Sequence, residues 1–564
     1  PRCLRADSER EEAMKKKLRI VLFLSLLVCL LCAAVHAEEP EAAEQPLIIV
    51  EEDRSYPRSS APAEPQGISV QALTQSSPET LAQAKQALLR GMQNFKEEID
   101  IRSCGISSDE LGDLYVGLAY EHPELFYVKT QWGWSIAYEG STKVLSVFPS
   151  YSIDGKVIPK GKITEYMPQI QQQQAELTQK VEEITAQIGE NWTPLQKALY
   201  LHDYIATHGQ YDTISKVDVE NKIDERRRDA YGMLIDGIGV CQGYTLAYRL
   251  LLKEVGIDSG TVTSDSMNHV WNLIQIDGNW YHVDVTWDDP TEDRIGQSQH
   301  VYFCLSEDKL KTTNNDAHNA PDFKYSLNVK TDDKTFDNYY WANVDSAFVP
   351  LNGKWYYLLY QSGLMQSGLM QTADPKQEGS LKKQINTDWY VWMNGSSYWL
   401  GLYSGLSRYN DTLIYNTPDA VYSYDPKNAK EQTVYKLTPE ERSEGYIYGT
   451  VVVGNELRYL VQQSPYAEEP AAPRVYRLDP YTTVTAGGYA YYLEGKTLYL
   501  KPSGTQSGSV IAAWYSEEDK LLGILILNEG ELTADVSDAK TVKIFAAANT
   551  DYHPLCEATV CTIG

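Results

Sequence analysis

The sequence predicts an α+β core followed by all-β modules, and three observations carry that prediction. Between residues 76 and 254, helix-length segments place apolar residues three and four apart. Short Val-rich and aromatic strands interleave with them. From about residue 335 the helical spacing stops, and hairpins of a turn followed by aromatics recur. The chain has 564 residues, room for three or four domains at roughly 150 residues each. Hydrophobic residues make up 43% and charged residues 23%, an ordinary globular balance that can bury a core.

The elements follow in order. Met14 precedes Lys15, Lys16, Lys17 and Arg19, then an apolar run to Val35, and Val35-His36-Ala37 offers small residues for cleavage. That pattern predicts a signal peptide over 14–37, and the run is short for a membrane span. A secreted, extracellular or cell-surface location follows as an expectation, with no membrane span left after cleavage. Residues 38–66, rich in Pro, Glu, Ala and Ser, read as a disordered linker. An N-terminal α+β region is expected over 67–165. Leu81, Ala84, Leu88 and Leu89 mark one helix; Leu111, Leu114 and Leu118 mark another, behind a capping box from Ser107 to Glu110. The next domain is expected over 166–310. It opens with a Gln- and Glu-rich helix to about 190 and continues with one from Pro194 to His208, where Pro follows Thr193 in the first turn.

Residues 335–505 are expected to form a Tyr- and Trp-rich, propeller-like β-repeat domain. Asn352-Gly353 and its partners at Asn410-Asp411, Gly454-Asn455 and Glu494-Gly495 each precede an aromatic strand, and the last two steps are 43 and 41 residues. Residues 507–564 read as a small β-sandwich-type module. Inward-facing aromatics would account for much of the count of 41 Tyr. The formal net charge of -27 argues against nucleic acid as a partner, because phosphate binding needs a basic footprint. Past Ala37 five cysteines remain, Cys104, Cys241, Cys304, Cys556 and Cys561, and the odd number leaves at least one thiol unpaired. Cys556 and Cys561 are close enough in sequence to pair.

Residues 229–304 carry the chemistry. Gly239-Val240-Cys241-Gln242-Gly243-Tyr244 runs into a helical segment that ends at Glu254. Cys241 is thereby expected at a helix N-terminus, where unbonded N–H groups and the macrodipole favour a thiolate. His269 to Ile276 alternates, and Asp277-Gly278 signals a two-residue hairpin. Pairing Ile276 with Asn279 sets His269 opposite Thr286. Asp284 then lies on the diagonal, about 7 Å away at the backbone. A thiol, an imidazole and a carboxylate make a nucleophile, a base and an orienting group. His282 shares the face of Asp284 and is a rival base; His269 is favoured because His282 is too near along the strand to be well oriented. No His or Cys pair has zinc-site spacing, so neither metal nor cofactor is expected. Gln242, Trp271 and Trp287 are candidates for shaping the substrate site or oxyanion environment, with packing the plainer role for both Trp residues.

The motifs around Cys241, Asn268-His269-Val270-Trp271 and Trp280-Tyr281-His282-Val283-Asp284-Val285-Thr286-Trp287 resemble those of bacterial secreted transglutaminase-like proteins. The likeness extends to Leu201-His202-Asp203-Tyr204 and to Tyr302-Phe303-Cys304-Leu305-Ser306. Glu121-His122-Pro123-Glu124-Leu125-Phe126-Tyr127 is similar to the N-terminal region of clostridial-type members. The resemblance implies a papain-like transglutaminase core with Cys241 as nucleophile, His269 as base and Asp284 as orienter. It implies an acyl-enzyme formed at a protein or peptide amide, with amine transfer, crosslinking or peptide hydrolysis all open. The alternative is a non-catalytic surface-binding protein that uses the papain-like domain as a scaffold and binds cell-wall glycan or a surface protein through its β modules.

Overall fold

The computed structural model describes residues 76–562, apart from 139–141, 213–224, 291–294, 362–365, 387–390, 395–396, 401–402, 465–471, 480, 495, 504–507, 529–531 and 549–552. The expected signal peptide and linker lie outside the described residues. No helix among the described residues is long and apolar enough to cross a membrane. The chain divides into two compact units, one made of residues up to Gln187 with Asp212–Val270 and Asp322–Asn328, the other of Ile188–Tyr211, Trp271–Pro321 and Val329 onward.

In the first unit, local signals set the helix starts. Ser77 caps Pro78–Gln93 by accepting from the Thr80 N–H, with Pro at the start. Ser107 and Glu110 close the expected capping box on Ser108–Glu121. Both helices bury their predicted faces: Ala84, Leu88, Leu111 and Leu118 share a core with Trp132, Val144 and Val147. Tyr115 stacks on Trp132 at 4.6 Å between centroids. The antiparallel strands Val128–Tyr138 and Thr142–Ile153 form the sheet behind them. Helix Ile163–Thr185 follows, then helix Cys241–Glu254 and strand Ser259–Ser264, which pairs with Lys324–Tyr325.

In the second unit, Thr193 and Gln196 make a full capping box on helix Pro194–His208. Strand Asn279–Val283 pairs with the stretch from Asn272 to Ile276 on one side and with Phe303–Leu305 on the other. The β region is a run of antiparallel meanders. The recurring turns sit where the repeat predicts, joining Val349–Leu351 to Lys354–Gln361, Leu406–Tyr409 to Thr412–Asn416, and Tyr446–Val453 to Glu456–Gln462. Asn352, Asn410 and Gly454 take left-handed φ values of 53°, 52° and 62° there, which Asn and Gly tolerate best. Tyr356, Tyr357, Tyr415, Tyr424, Tyr448 and Tyr459 are all buried, so these tyrosines are core and not a binding surface.

The meanders are separate antiparallel sheets, and no closed ring of blades is shown among the described residues. One expectation changes. The sandwich reaches back past residue 507, because strands Thr482–Val484, Tyr489–Glu494 and Thr497–Pro502 pair in that order and the last of them pairs with Leu532–Asp535. That sheet shares one core, Tyr489, Leu498 and Leu500 with Val510, Val542 and Ile544, with the final sheet of strands. The hairpin's apolar face is buried against later strands. A repeat period read from turns alone does not reveal that choice. Cys556 and Cys561, close as they are in sequence, are not disulfide-bonded, and neither are Cys104, Cys241 and Cys304.

Candidate active site

Cys241 is the first residue of its helix. A left-handed Gly237 and the short strand Ile238–Gly239 lead into it, and Val240 occupies the cap position in extended geometry without a side-chain bond to the first turn. The first-turn N–H groups are therefore not taken by a capping side chain, and Cys241 sits at the positive end of the helix. Two glycines in the motif have a steric reason. A Cβ on Gly243 would stand 2.6 Å from the Arg227 carbonyl oxygen, and one on Gly239 would stand 3.2 Å from it. That carbonyl accepts the Val240 N–H at 2.8 Å. The backbone of the Arg226-Arg227-Arg228 turn is thus laid against the start of the helix. Cys241 is half-buried. Burial, then the nearby Cys241 sulfur, pushes the Tyr120 hydroxyl up to about 12, with Arg228 pulling the other way. Tyr120 is therefore within electrostatic reach of both Cys241 and Arg228.

His269, also half-buried, opens strand His269–Ile276. Asn268 before it is left-handed, with φ 47°. The turn is held by Asp322, which accepts from Ser264 Oγ at 2.7 Å, the Ser266 N–H at 2.8 Å and Ser266 Oγ at 2.7 Å. The hydroxyl bonds from Ser264 and Ser266 hold the Asp322 carboxyl well below the usual range. Thr245, one turn after Cys241, aims its single hydroxyl proton at two carbonyls, Cys241 O at 2.8 Å and Val270 O at 3.0 Å. It ties the Cys241 turn to the residue after His269. The structure thus brings Cys241 and His269 into one unit through a shared clamp.

Asp284, Trp271 and Trp287 belong to the other unit. The hairpin register is the predicted one, Ile276 opposite Asn279, with Asp277 and Gly278 both at positive φ in the turn. The ladder ends at Asn272 and Val283. The expected strand through Thr286 does not form, because the Asp284 carboxylate captures the Trp287 N–H at 3.2 Å and caps a one-turn helix, Val285–Asp288. Its other oxygen accepts from His318 Nε2 at 2.8 Å, with both side chains fully buried. Trp287, 37% exposed, lies over the His318 ring at 4.4 Å, and Tyr302 lies at 4.8 Å.

The rival base, His282, is committed elsewhere. Trp271 Nε1 donates to its Nδ1 at 2.9 Å. Its proton therefore sits on Nε2, which meets Thr331 Oγ1 at 3.0 Å. Burial lowers its pKa to about 3, so it stays neutral and fully enclosed. Trp271 itself is 1% exposed and serves this core. Gln242 lines a cavity beside the helix.

The Leu201-His202-Asp203-Tyr204 stretch supplies a buried network. Asp203 accepts from His202 Nδ1 at 3.0 Å, His300 Nε2 at 2.7 Å, Ser298 Oγ at 2.9 Å and the Phe348 N–H at 2.7 Å. His202 Nε2 meets Asp288 Oδ2 at 3.1 Å. Burial opposes charge on His202, but the bonds to Asp203 and Asp288 win and raise its pKa to about 9. His202, Asp203 and His300 have a spacing that suits a metal ion. Both His202 nitrogens already donate to carboxylates, so hydrogen bonds account for the cluster. Sequence reasoning missed His318 and Asp322. A signal existed for His318, since Asn314, Asn315 and Asp316 ahead of it are all left-handed turn residues.

A family description, Transglutaminase-like superfamily, matches residues 181–285, a span that contains Cys241, His269 and Asp284. Among solved structures, one described as a TGase has 15% identity over 27% of this chain and 44% of its own, with a TM-score of 0.18. A candidate cysteine protease from Cytophaga hutchinsonii has 16% identity over 33% of this chain and 61% of its own, with a TM-score of 0.16. PorZ from Porphyromonas gingivalis has 11% identity over 53% of this chain and 34% of its own, at 0.14. This chain thus spans less than two thirds of each, and likenesses of that size establish neither activity nor substrate. No curated protein matches the chain.

Proposed function

We propose that this chain, whose residues 181–285 form a transglutaminase-like domain, is an exported thiol enzyme that forms an acyl-enzyme at protein or peptide amides. Cys241 is the nucleophile, His269 the base and Asp284 the group that orients the base. The observation that carries the reading is the start of helix Cys241–Glu254, open to a sulfur and uncapped by any side chain, with Thr245 linking it to the residue after His269.

The chemistry follows. His269 takes the thiol proton, and the sulfur attacks the amide carbonyl. First-turn N–H groups supply charge stabilisation as the oxyanion forms. The C–N bond breaks, His269 returns the proton to the departing amine or ammonia, and a thioester remains. An amine or water then gives its proton to His269, attacks the thioester carbon and releases the thiol. Trp287, exposed near Asp284, offers an aromatic wall to the substrate, and Gln242 a polar one. The β region serves as a propeller-like platform that positions the enzyme on a surface.

The test is iodoacetamide alkylation of Cys241 followed by mass spectrometry across pH. A reaction that persists well below the pH of an ordinary thiol, about 8.5, is expected, and an ordinary profile overturns the reading. Incorporation of a labelled amine into a Gln-containing protein, run beside a peptide-hydrolysis assay, then separates transfer from hydrolysis.

A further inference from the structure

Resting on that reading, we infer that the cavity between the Glu121–Tyr127 turn and the first turns of the Cys241 helix is a substrate subsite for a carboxylate, carried by the peptide next to the amide that is attacked. The cavity is about 100 Å³, less than the roughly 150 Å³ that takes up benzene, so it suits a short side chain or a chain terminus. Leu125 and Leu246 supply apolar walls, and His122, Lys129, Arg228, Asp229 and Gln242 supply the polar groups.

Its placement points to substrate. Gln242 adjoins the nucleophile in the chain, and Leu246 lies one turn on along the same helix. Arg228 lines the same cavity as Gln242, and the Arg227 carbonyl before it accepts the Val240 N–H, so the arginine turn lies against the start of the Cys241 helix. The turn is tightly fixed against the helix: Lys253 donates to Glu124 at 3.0 Å, and Phe126 stacks on Tyr231 at 4.9 Å. The wall is therefore built and not a loose loop.

Its charge points to an anion. In a chain of net charge -27, three consecutive arginines need a reason. Arg226 pairs with Asp236 at 2.5 Å and Asp154 at 3.4 Å, and Arg227 with Asp212 at 3.7 Å. Among the described residues Arg228 has no such carboxylate pairing, and it faces the cavity with Lys129, which is 7% exposed. Asp229 is the one acid in the lining. Burial pushes its carboxyl up to about 7. A substrate carboxylate would pair with Arg228, and guanidinium geometry favours it.

The experiment uses the full chain carrying Cys241→Ala, so that binding is read without turnover. Isothermal calorimetry compares acetylated tetrapeptide amides that differ only in one central Glu, Gln or Lys. A further pair, tetra-alanine as free acid and as amide, asks whether a chain terminus is the source. Tighter binding of the Glu peptide than of the Lys peptide by about tenfold is expected, with the preference lost in Arg228→Glu. Preference for the free acid over the amide, again lost in Arg228→Glu, supports the same site with a terminal carboxylate as its ligand. Equal affinities, tighter binding of Gln than Glu, no binding, or a preference that survives Arg228→Glu overturns the inference. An ordinary alkylation profile for Cys241 would sink the catalytic reading while leaving this result standing, so the two failures are distinguishable.

Discussion

Two helices of nearly equal length, Pro194–His208 with 15 residues and Cys241–Glu254 with 14, handle their polar groups in opposite ways. The first starts in a complete capping box and carries His202 and Asp203, whose carboxylate accepts four hydrogen bonds in the dark of the core. The second starts with a valine that caps nothing and a cysteine half open to solvent. Full burial with every bond made marks a polar group that holds structure; a partly exposed group at a helix start can be reached by a substrate. The same rule separates the two histidines of the hairpin, His282 with both nitrogens in use inside the core and His269 at its rim.

This contrast can be broken at several points. Cys241→Ala is expected to cut acyl transfer by about 10³-fold or more, with little change in stability. The measurement is turnover beside urea unfolding, and a large loss of stability would make the cysteine structural. Asp203→Ala should act the other way round, costing about 3–5 kcal/mol by leaving buried donors and a charged imidazole unpaired. A urea midpoint unmoved by it would remove the distinction.

The pH dependence of stability sharpens the comparison further. His202 has a folded pKa of about 9, above its unfolded value of about 6.5. Its contribution is thus full below about pH 6.5 and is lost as pH rises through about 9. The urea midpoint should fall over that window, and His202→Gln should flatten the fall. The smallest effect is expected from Val240→Ser. A capping hydroxyl there should add about 1 kcal/mol. By occupying a first-turn N–H it should also slow alkylation of Cys241 at neutral pH by about two- to fivefold, equivalent to 0.3–1 kcal/mol. Faster alkylation would mean that the open helix start is not what activates the sulfur.

Much of this was legible in the residues because the signals are local. Ser107 with Glu110 and Thr193 with Pro194 announce helices within a few positions, and Asp277-Gly278 announces its own turn. Cys241 at a helix start was readable from glycines followed by apolar spacing. Partners far along the chain were not. Asp284 finds His318 across 34 residues, Ser264 finds Asp322 across 58, and Asp203 finds His300 across 97. No local pattern encodes such pairings, since tertiary packing decides among many His and Asp residues. The short helix after Val283 was hidden for a related reason, as an Asp reads equally as a strand residue or as a cap until its neighbours are placed.

The arginine turn has one more consequence. It is held against the Cys241 helix by its carbonyls, which fill the spaces that Gly239 and Gly243 leave by lacking a Cβ. A main-chain anchor is indifferent to what the side chains are. The guanidinium at 228 can therefore be exchanged for an acid, amide or alkyl group without disturbing that main-chain anchor.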